Sequence, residues 1–528
     1  MRNAIPGVAE RPVPERNRSS AQVNAAARKA PGSTAPQIAR AIRSAVRAAG
    51  ELSQAGRGFL RVSVVIAAPE LVFLTNIVLK FEKIQLFRLL FLRETTILKY
   101  PSVNDCIRSL GKRLLDSPLS PTTAFIPDDA TVAYDSDAVK LAEYVRKGET
   151  IPAFELAGPR AKIYHDPAWS KAAVLTAGGL CPGLNDVIKF LTSTLRNQYR
   201  VPIVYGIRYG YRGLNPASKL APLVLTDENT DDIHEQGGTI LGSSRGEEDT
   251  AVMVDTLMRM NINLLFCIGG DGTARCAHEI AIEAQRRGLS ISVIAIPKTI
   301  DNDIGFIDKS FGFETAVATC GHFVSGAHNE AKGAYNGIGL VRVMGRDSGF
   351  IAAYAALANS YINYCLVPER KFTLEGEGPD ALLPNLVERM NSKHHAVMIV
   401  AEGAGQELFE NLPEMHDASG NLIHNDIGIL LRDKIREYFK KLNIEVNVKY
   451  FDTSYAVRSG PCHGADAVFC AMLAQNAVHA AMAGRTDMVI GHWGDNFTHV
   501  PISLATRRRK KIDLNSQLWT SVRATTCF

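Results

Sequence analysis

Several features that would indicate a protein class are missing from this 528-residue chain. Its nine cysteines include no Cys-x-x-Cys pair, which argues against a disulfide framework and a zinc ribbon and indicates a reducing compartment. No Gly-x-x-x-x-Gly-Lys-[Ser/Thr] stretch occurs, which disfavours a P-loop. The formal net charge is only +5, so we expect no nucleic-acid surface across the body of the protein.

Acidic residues are scarce at the N-terminus. In residues 1–60, roughly ten Arg and Lys stand against about three Glu, in a background of Ala, Ser and Pro. This composition is typical of an organelle transit peptide, and a disordered tail has the same composition. The sequence is therefore compatible with a plastid location and with a cytoplasmic one.

Residues 61–160 are expected to form a helical N-terminal extension. Its first part, 61–94, is apolar enough to raise the question of a membrane span. However, Pro69 and Glu70 interrupt the apolar run, and charged residues follow from Lys80 onward. A continuous span needs about 20 apolar residues. We therefore predict a partly buried or interfacial helix and no stable membrane insertion.

From about residue 161, short β-branched runs alternate with helical patterns, and glycine-rich turns join them. "KAAVLTAGGLCPGLNDVIKFLTSTLRN" and "NLLFCIGGDGTARCAHEIAIEAQRRG" each read as strand, turn and helix. The alternation predicts an α/β fold with mainly parallel sheets flanked by helices. The unusual residues follow each apolar run directly, at the carboxyl edge of a strand, where open α/β sheets bind ligands.

The stretch "GGDGT" carries a carboxylate between glycines. Glycines at 270 and 272 let a bulky anion approach backbone N–H groups, and Asp271 is suited to hold Mg²⁺. The stretch thus predicts a site for a metal-bound phosphate chain. A purely structural turn between strand and helix is the alternative. "TAGGLCPGLND", residues 176–186, is a second such turn.

Two further stretches contain residues suited to phosphoryl transfer. In "IPKTIDNDIGF", Asp301 and Asp303 would point the same way in a strand-like conformation, and they could divide proton abstraction and metal organisation between them. A helix cap or loop is the alternative. In "VMGRDSGF", Arg346 can neutralise charge on a transferring phosphoryl group. Tyr455 and Arg458 in "YAVR" suit a phosphate monoester, and surface ion pairs are their alternative role.

Taken together, these stretches resemble the 6-phosphofructokinase family. "GGLCPGLN", "YGIRYGYRGL", "LGSSRG", "GGDGT", "PKTIDND", "MGR", "AEGAG" and "YAVR" stand in that family's order and approximate spacing, from about Ala157 to the end of the chain. "AGPRAKIYHDP" and "LAQNAVHAAMAG" look most like the plant and algal ATP-dependent branch. The resemblance implies two similar α/β domains with the active site in the interdomain cleft. The implied segments are an ATP/Mg-binding domain at 161–310, a fructose 6-phosphate domain at 311–505 and a tail returning to the body at 506–528.

The resemblance also implies a reaction, transfer of a phosphoryl group from ATP to the 1-hydroxyl of fructose 6-phosphate with Mg²⁺, and a set of site residues. The implied catalytic residues are Asp301 as general base, Thr299 and Arg346. The implied nucleotide-binding residues, with Asp271 as metal ligand, are Gly179, Arg245, Gly246, Gly270, Asp271, Gly272 and Thr273. The implied sugar-phosphate-binding residues are Thr299, Ile300, Asp301, Met344, Gly345, Arg346, Glu402, Tyr455 and Arg458.

Three alternatives compete with the ATP-dependent enzyme. Pyrophosphate-dependent relatives typically have a second Asp where this chain has Gly272, although Lys298 is a feature that they share with this chain. Plant-type and some protist ATP enzymes combine Gly and Lys in the same way. A non-catalytic regulatory subunit would be expected to lose Asp271, Asp301 or Arg346, and all three are present. Lipid and NAD kinases also use "GGDGT", but they are not expected to carry "TIDND" and "MGR".

The remaining expectations concern assembly and single residues. Family habit implies a homo-oligomer, either dimer or tetramer. However, Gly337 stands where many bacterial enzymes have an arginine that reaches the adjacent subunit. The basic run 507–511, "RRRKK", is predicted to be a solvated surface run, with a nucleic-acid or targeting patch as the alternative. Cys181 is predicted to be a small packing residue, with redox sensitivity as the alternative.

Overall fold

The computed structural model describes residues 59–68, 71–80, 107–246, 248–409 and 424–527. The chain divides into two units, Met1–Pro101 and Ser102–Phe528. In the first unit the described residues form strands β1 (Phe59–Ala68) and β2 (Leu71–Lys80), which pair antiparallel. The transit-peptide prediction for residues 1–60 falls almost wholly outside the described residues.

A nine-stranded mixed sheet dominates the second unit. In spatial order its strands are β10 (Leu223–Val224), β9 (Ile203–Ile207), β8 (Lys171–Thr176), β11 (Leu264–Gly269), β12 (Ser292–Pro297), β18 (Met488–Trp493), β19 (Asn496–Pro501), β6 (Ala153–Leu156) and β5 (Thr131–Ala133). The five strands from β9 to β18 run parallel, and the remaining strands pair antiparallel at the two sides.

The second sheet has four strands and is parallel throughout. Its order is β14 (Tyr364–Leu366), β15 (His395–Ala401), β13 (Gly337–Val343) and β16 (Asn447–Asp452). Two short ribbons complete the strands, formed by β3 (Arg108–Ser109) with β17 (Arg485–Thr486) and by β4 (Leu115–Asp116) with β7 (Lys162–Ile163).

Helices flank both sheets. In chain order they are α1 (Ala138–Lys147), α2 (Leu184–Ser193), α3 (Asp227–Thr230), α4 (Thr250–Arg259), α5 (Asp271–Arg286), α6 (Phe313–Gly333), α7 (Phe350–Ala358), α8 (Leu382–Lys393), α9 (Ile427–Lys441), α10 (Ala456–Ser459), α11 (Gly464–Met482), α12 (Ile502–Ala505) and α13 (Gln517–Thr525). No helix among the described residues is long and apolar enough to cross a membrane. The predicted α/β class is confirmed by this arrangement.

A continuous apolar core joins the two sheets. Val174 of β8 and Phe266 of β11 belong to the same buried cluster as Val341 of β13 and Ile399 of β15. Separate clusters cover the far face of each sheet. Parallel strands rich in Val, Ile and Leu are buried on both faces. Because one close-packed core contacts both sheets, the carboxyl ends of their strands are held in fixed positions relative to each other.

Two expectations about segments of the chain differ from the structure. Residues 61–160 were expected to be helical, but apart from α1 the described elements there are strands and short turns. The reason for β1 and β2 is that Val, Ile and Thr crowd a helix and pack well in strands. The expected sugar-phosphate segment, 311–505, also contributes strands to the other sheet: β18 pairs with β12, and β19 follows it there. Helix α11 connects the small sheet to β18, so strands from both the early and the late part of the second unit's sequence form the large sheet.

Candidate active site

A cavity of about 550 Å³ is lined by residues that follow the carboxyl ends of strands in both sheets. The turns after β8, β11 and β12 border it from the large sheet, and the turns after β13 and β15 border it from the small one. Ligands of α/β proteins bind at this edge, because the strand ends leave a crevice between successive turns. The structure therefore has a cavity at the carboxyl edge of the strands, where the sequence predicts ligand binding.

Most of the residues assigned from the sequence line this one cavity: Gly179, Arg245, Gly246, Gly270, Asp271, Gly272, Thr273, Thr299, Ile300, Asp301, Met344, Arg346, Glu402 and Arg458. Gly345 and Tyr455 are not among the lining residues. Gly345 has φ +133°, and a Cβ there would lie 2.5 Å from the Ser348 carbonyl oxygen, so its role is to shape the turn. Tyr455 is 73% exposed, and its ring lies 4.9 Å from the Arg458 guanidinium carbon.

The turn after β11 presents a helix N-terminus to the cavity. Gly270 precedes α5 without a side-chain cap, so the first N–H groups of the helix are available to an anion. A Cβ at Gly269 would overlap the Thr273 side chain, which explains why a bare residue is needed for this close strand-to-helix approach. Tyr211 helps to fix Thr273, because its hydroxyl donates a hydrogen bond to the Thr273 carbonyl oxygen over 2.7 Å.

The turn after β12 is a loop fixed by side-chain hydrogen bonds, and it does not have the strand-like conformation considered for "TIDND". Asn302 has φ +53°, and its side chain accepts from Ser310 N over 3.0 Å and donates to the Asp308 carbonyl over 2.9 Å. Thr299 Oγ1 donates to Asp303 Oδ1 over 3.0 Å. The carboxylates of Asp301 and Asp303 nevertheless line the same cavity, because the left-handed residue between them turns the chain.

Asp301 has the environment of a proton acceptor. Burial, then the neighbouring Asp303 and Glu402 carboxylates, raise its pKa to about 8. Its Oδ1 is buried and has no hydrogen-bond partner among the described residues. A carboxylate whose ionised form is disfavoured and whose oxygen is free is well suited to accept a hydroxyl proton near neutral pH.

Three cations crowd the turn after β8. Lys298 is buried, and its Nζ donates to the Gly179 carbonyl oxygen; burial is the main reason that its pKa falls to about 8. A Cβ at Gly179 would lie 3.3 Å from Arg458 Nη1 and 3.6 Å from Arg245 Nη2. This concentration of positive charge around a bare turn suits an anionic ligand such as a phosphate.

The small sheet supplies the opposite wall of the cavity. Glu402, after β15, receives a hydrogen bond from Arg342 Nη2 over 3.1 Å. The turn containing Arg346 contacts the "TIDND" loop through Ser348, whose Oγ donates to the Asp301 carbonyl over 3.4 Å. Residues that follow strands of two different sheets therefore meet at Asp301.

Sequence reasoning missed Arg509. The run 507–511 was predicted to be solvated, but only Arg507, Arg508 and Lys511 are exposed. Arg509 lines the cavity, where it forms ion pairs with Asp271, Asp303 and Asp347. Lys510 Nζ donates to the carbonyl oxygens of Ile307 and Asp308 over 2.8 and 2.9 Å. The sequence of the basic run gives no information about carboxylates some 200 residues away. Nothing in the run itself therefore distinguished Arg509 from its exposed neighbours.

The cavity contains a carboxylate that suits a divalent cation. Asp271 offers a carboxylate oxygen at the mouth of α5, the kind of hard ligand that Mg²⁺ prefers. Within residues 107–246, 248–409 and 424–527, no three His, Cys, Asp or Glu side chains are grouped as a complete metal site. The residues thus fit a cation held by Asp271 together with phosphate oxygens, rather than one held in an all-protein cage.

Two single-residue expectations can be compared with the structure. Cys181 is 1% exposed, donates from Sγ to the Phe311 carbonyl over 3.2 Å, and burial raises its pKa, so it is a packing residue. A Cβ at Gly337 would overlap the Ala331 carbonyl. An arginine is therefore excluded at that position by the close packing of α6 on β13.

Comparison with known proteins assigns the chain to a family. The model of the phosphofructokinase family matches residues 171–481. The chain is 51% identical over 378 residues to the ATP-dependent 6-phosphofructokinase of Borreliella burgdorferi, covering 70% of this chain and 84% of that protein. It is 40% identical over 415 residues to the chloroplastic ATP-dependent 6-phosphofructokinase 4 of Arabidopsis thaliana, covering 78% and 77%.

Solved structures agree on the fold. The pyrophosphate-dependent phosphofructokinase of Marinobacter aquaeolei superposes with a TM-score of 0.56 at 19% identity, over 67% of this chain and 91% of that one. The fold is that of the phosphofructokinases, which are α/β proteins. The chain belongs to the phosphofructokinase family.

Proposed function

We propose that the protein transfers the terminal phosphoryl group of ATP to the 1-hydroxyl of D-fructose 6-phosphate, giving fructose 1,6-bisphosphate and ADP. The protein is an ATP-dependent 6-phosphofructokinase. The observation that carries this function concerns Asp301, which lines the same cavity as the uncapped N-terminus of α5 and whose buried Oδ1 has no hydrogen-bond partner among the described residues. A base and a phosphate-binding helix end in one cavity are what in-line phosphoryl transfer needs.

The nucleotide binds on the large-sheet side. Its phosphates lie against the turn after β11 and the first N–H groups of α5, where helix-end dipoles favour anions. The residues assigned to ATP are Gly179, Arg245, Gly246, Gly270, Asp271, Gly272 and Thr273. Asp271 holds Mg²⁺, which when bound neutralises charge on the phosphate oxygens.

The sugar phosphate binds on the small-sheet side. Thr299, Ile300, Met344, Gly345 and Glu402 shape the sugar pocket, with Tyr455 and Arg458 on the 6-phosphate. Asp301 takes the proton of the 1-hydroxyl, and Arg346 neutralises charge as the phosphoryl group moves. Arg458 belongs to the cationic group around the Gly179 turn, so it can face an anionic phosphate in the cavity. Tyr455 is exposed, so its hydroxyl reaches a ligand only at the rim.

The choice of ATP over pyrophosphate depends on Gly272. A Cβ built there has nothing within 4 Å, so this position opens onto free space beside Asp271. An adenine nucleotide can use that space, whereas the side chain and charge of a second aspartate there would obstruct the nucleotide. Lys298 favours the alternative donor, because pyrophosphate-dependent relatives also have lysine there, and its Nζ lies against the Gly179 turn.

A coupled assay of fructose 1,6-bisphosphate formation tests this function, run with ATP and separately with pyrophosphate on wild type and Asp301→Asn. We expect turnover with ATP that falls at least about a hundredfold in the variant. Asp232→Asn is the matched control, because Asp232 is exposed and is not among the lining residues. Strong turnover with pyrophosphate would contradict the donor assignment, and turnover with neither donor would indicate a regulatory subunit.

Assembly and location complete the proposal. The protein forms a homo-oligomer, dimer or tetramer, which sedimentation of the purified chain would measure. It acts in the cytoplasm or in a plastid, and fusion of residues 1–60 to a fluorescent reporter distinguishes the two. A diffuse cytosolic signal would remove the targeting hypothesis.

A further inference from the structure

Arg509 is held at the cavity by the backbone on both sides of it. It forms an antiparallel bridge with Ile304, and the next residue, Lys510, donates its N–H to the Asp303 carbonyl over 2.7 Å. Two residues further on, Ile512 N donates to Glu369 Oε1 over 2.8 Å. The segment that carries Arg509 is therefore anchored both to the "TIDND" loop and to the small-sheet side.

The second anchor, Glu369, also contacts the turn that follows Arg346. Both carboxylate oxygens of Glu369 accept from Gly349 N over 3.1 Å, directly before α7 and three residues after Arg346. Beyond this point the chain packs firmly, since Trp519 of α13 is only 2% exposed and belongs to the central core cluster. The backbone of Arg509 cannot swing away without breaking these contacts.

The guanidinium of Arg509 stands between three carboxylates. Nη1 pairs with Asp303 Oδ2, Nη2 lies 3.4 Å from Asp271 Oδ2, and Nε lies 3.3 Å from Asp347 Oδ2. The side chains of Asp271 and Asp303 are only 11% and 3% exposed. The guanidinium therefore supplies the positive charge that these buried carboxylates need in the ligand-free protein.

We propose that Arg509 and a divalent cation compete for the carboxylate of Asp271, so that the protein takes up Mg²⁺ only together with the nucleotide phosphates. This inference rests on the proposed function, in which Asp271 holds the cation. A doubly charged ion on Asp271 would lie within a few ångströms of a fixed guanidinium, and the repulsion at that range is several-fold larger than thermal energy. The triphosphate of ATP adds the negative charge that offsets this repulsion.

Arg509 is thus a specificity residue for the metal–nucleotide complex. It keeps free Mg²⁺ from occupying the site before the nucleotide binds. Between turnovers, its positive charge neutralises the negative charge of the carboxylates. The role differs from simple structural support, because it predicts a change in metal affinity that appears only when no nucleotide is present.

The test uses Mn²⁺ as the probe and measures free aquo-Mn²⁺ by electron paramagnetic resonance during titration of the whole protein, with and without ATP. Each titration is compared with one that lacks protein and contains the same ATP, because ATP alone also binds Mn²⁺. In the absence of nucleotide, we expect Arg509→Gln to bind Mn²⁺ at least about tenfold more tightly than wild type. Arg509→Lys keeps the charge and should behave as wild type. Arg508→Gln is the matched control, because Arg508 belongs to the same basic run but is exposed.

Because Arg509→Gln leaves Asp303 buried without its partner, the double variant Arg509→Gln/Asp303→Asn is titrated in parallel. Its net charge at the site equals that of wild type, yet it lacks the guanidinium beside Asp271, so it too should bind Mn²⁺ more tightly. Unchanged Mn²⁺ affinity in both variants, with thermal unfolding showing that they are folded, overturns the inference. If ATP-supported turnover of wild type persists in that case, the proposed function stands. If no protein binds Mn²⁺ even with ATP, both fail.

Discussion

Arg342 Nη2 donates to Glu402 Oε2 over 3.1 Å, so a strand-interior cation of β13 fixes a carboxylate that follows β15. The same arginine lies 3.2 Å from both Asp452 Oδ2 and Ser454 Oγ after β16. The register explains this convergence, since Arg342 is opposite Val400 on one side and Asp452 on the other. One residue therefore sets the side-chain geometry at the ends of three neighbouring strands.

Replacing Arg342 by Met should weaken sugar binding specifically. Without its partner, Glu402 loses its fixed orientation, and we expect the KM for fructose 6-phosphate to rise at least about tenfold while the KM for ATP changes little. Steady-state kinetics with each substrate varied in turn measures both constants. Arg485→Met is the control, because Arg485 has a similarly buried ion pair with Glu155 outside the cavity. Equal changes in both KM values would show a general loss of structure.

The stability of the ligand-free protein should depend on pH through Asp301. Its pKa of about 8 in the folded state lies above the ordinary value of 3.8, so ionisation is disfavoured by folding. The stability that the protonated carboxyl provides is fully present below pH 4 and is lost as the pH rises through about 8. We expect wild type to lose at least about 2 kcal/mol relative to Asp301→Asn between pH 5 and pH 8.

Thermal or denaturant unfolding of wild type and Asp301→Asn across this pH range measures the effect. Asp232→Asn, at an exposed position, should follow wild type at every pH. A constant difference between wild type and Asp301→Asn would mean that Asp301 is ionised throughout.

Gly272→Asp should impair the use of ATP without unfolding the protein. The Cβ position is open and no positive φ is required, so an aspartate fits, but its side chain and charge occupy the space beside Asp271 that the nucleotide would use. We expect kcat/KM for ATP to fall at least about tenfold. Gly464→Asp, at another glycine with nothing within 4 Å, is the matched control for the substitution itself. Undiminished ATP turnover would remove Gly272 from the donor argument.

Trp519→Ala should destabilise the second unit. Trp519 is almost fully buried and joins α13 to the core between the sheets, so truncation leaves a large cavity, which costs about 3–5 kcal/mol. Chemical denaturation gives the loss directly. Trp519→Phe fills more of the space and should lose less, and equal losses in both variants would indicate that the indole N–H, rather than packing, is what matters.

Local patterns predicted the parts of the site that lie next to their strands. The glycine turn at 270–272 and the loop at 299–303 each follow a buried strand directly, so strand-to-turn order alone placed Asp271 and Asp301 at one edge. The strand-like picture of "TIDND" was wrong in detail, since Asn302 adopts a left-handed conformation that its side-chain hydrogen bonds stabilise. The helical expectation was wrong as well for the described residues of 61–80, which form β1 and β2, because apolar content was given more weight than the preference of Val and Ile for strands.

By itself, the sequence determined the α/β class, the glycine turns, the carboxylates and the family, because these depend on residues that are close together along the chain. Only the tertiary structure decided that β18 and β19 return to the large sheet, and that Arg509 enters the cavity between Asp271, Asp303 and Asp347. The physical reason is that buried charge is compensated by whichever partner the fold brings near, and that partner lies hundreds of residues away along the chain.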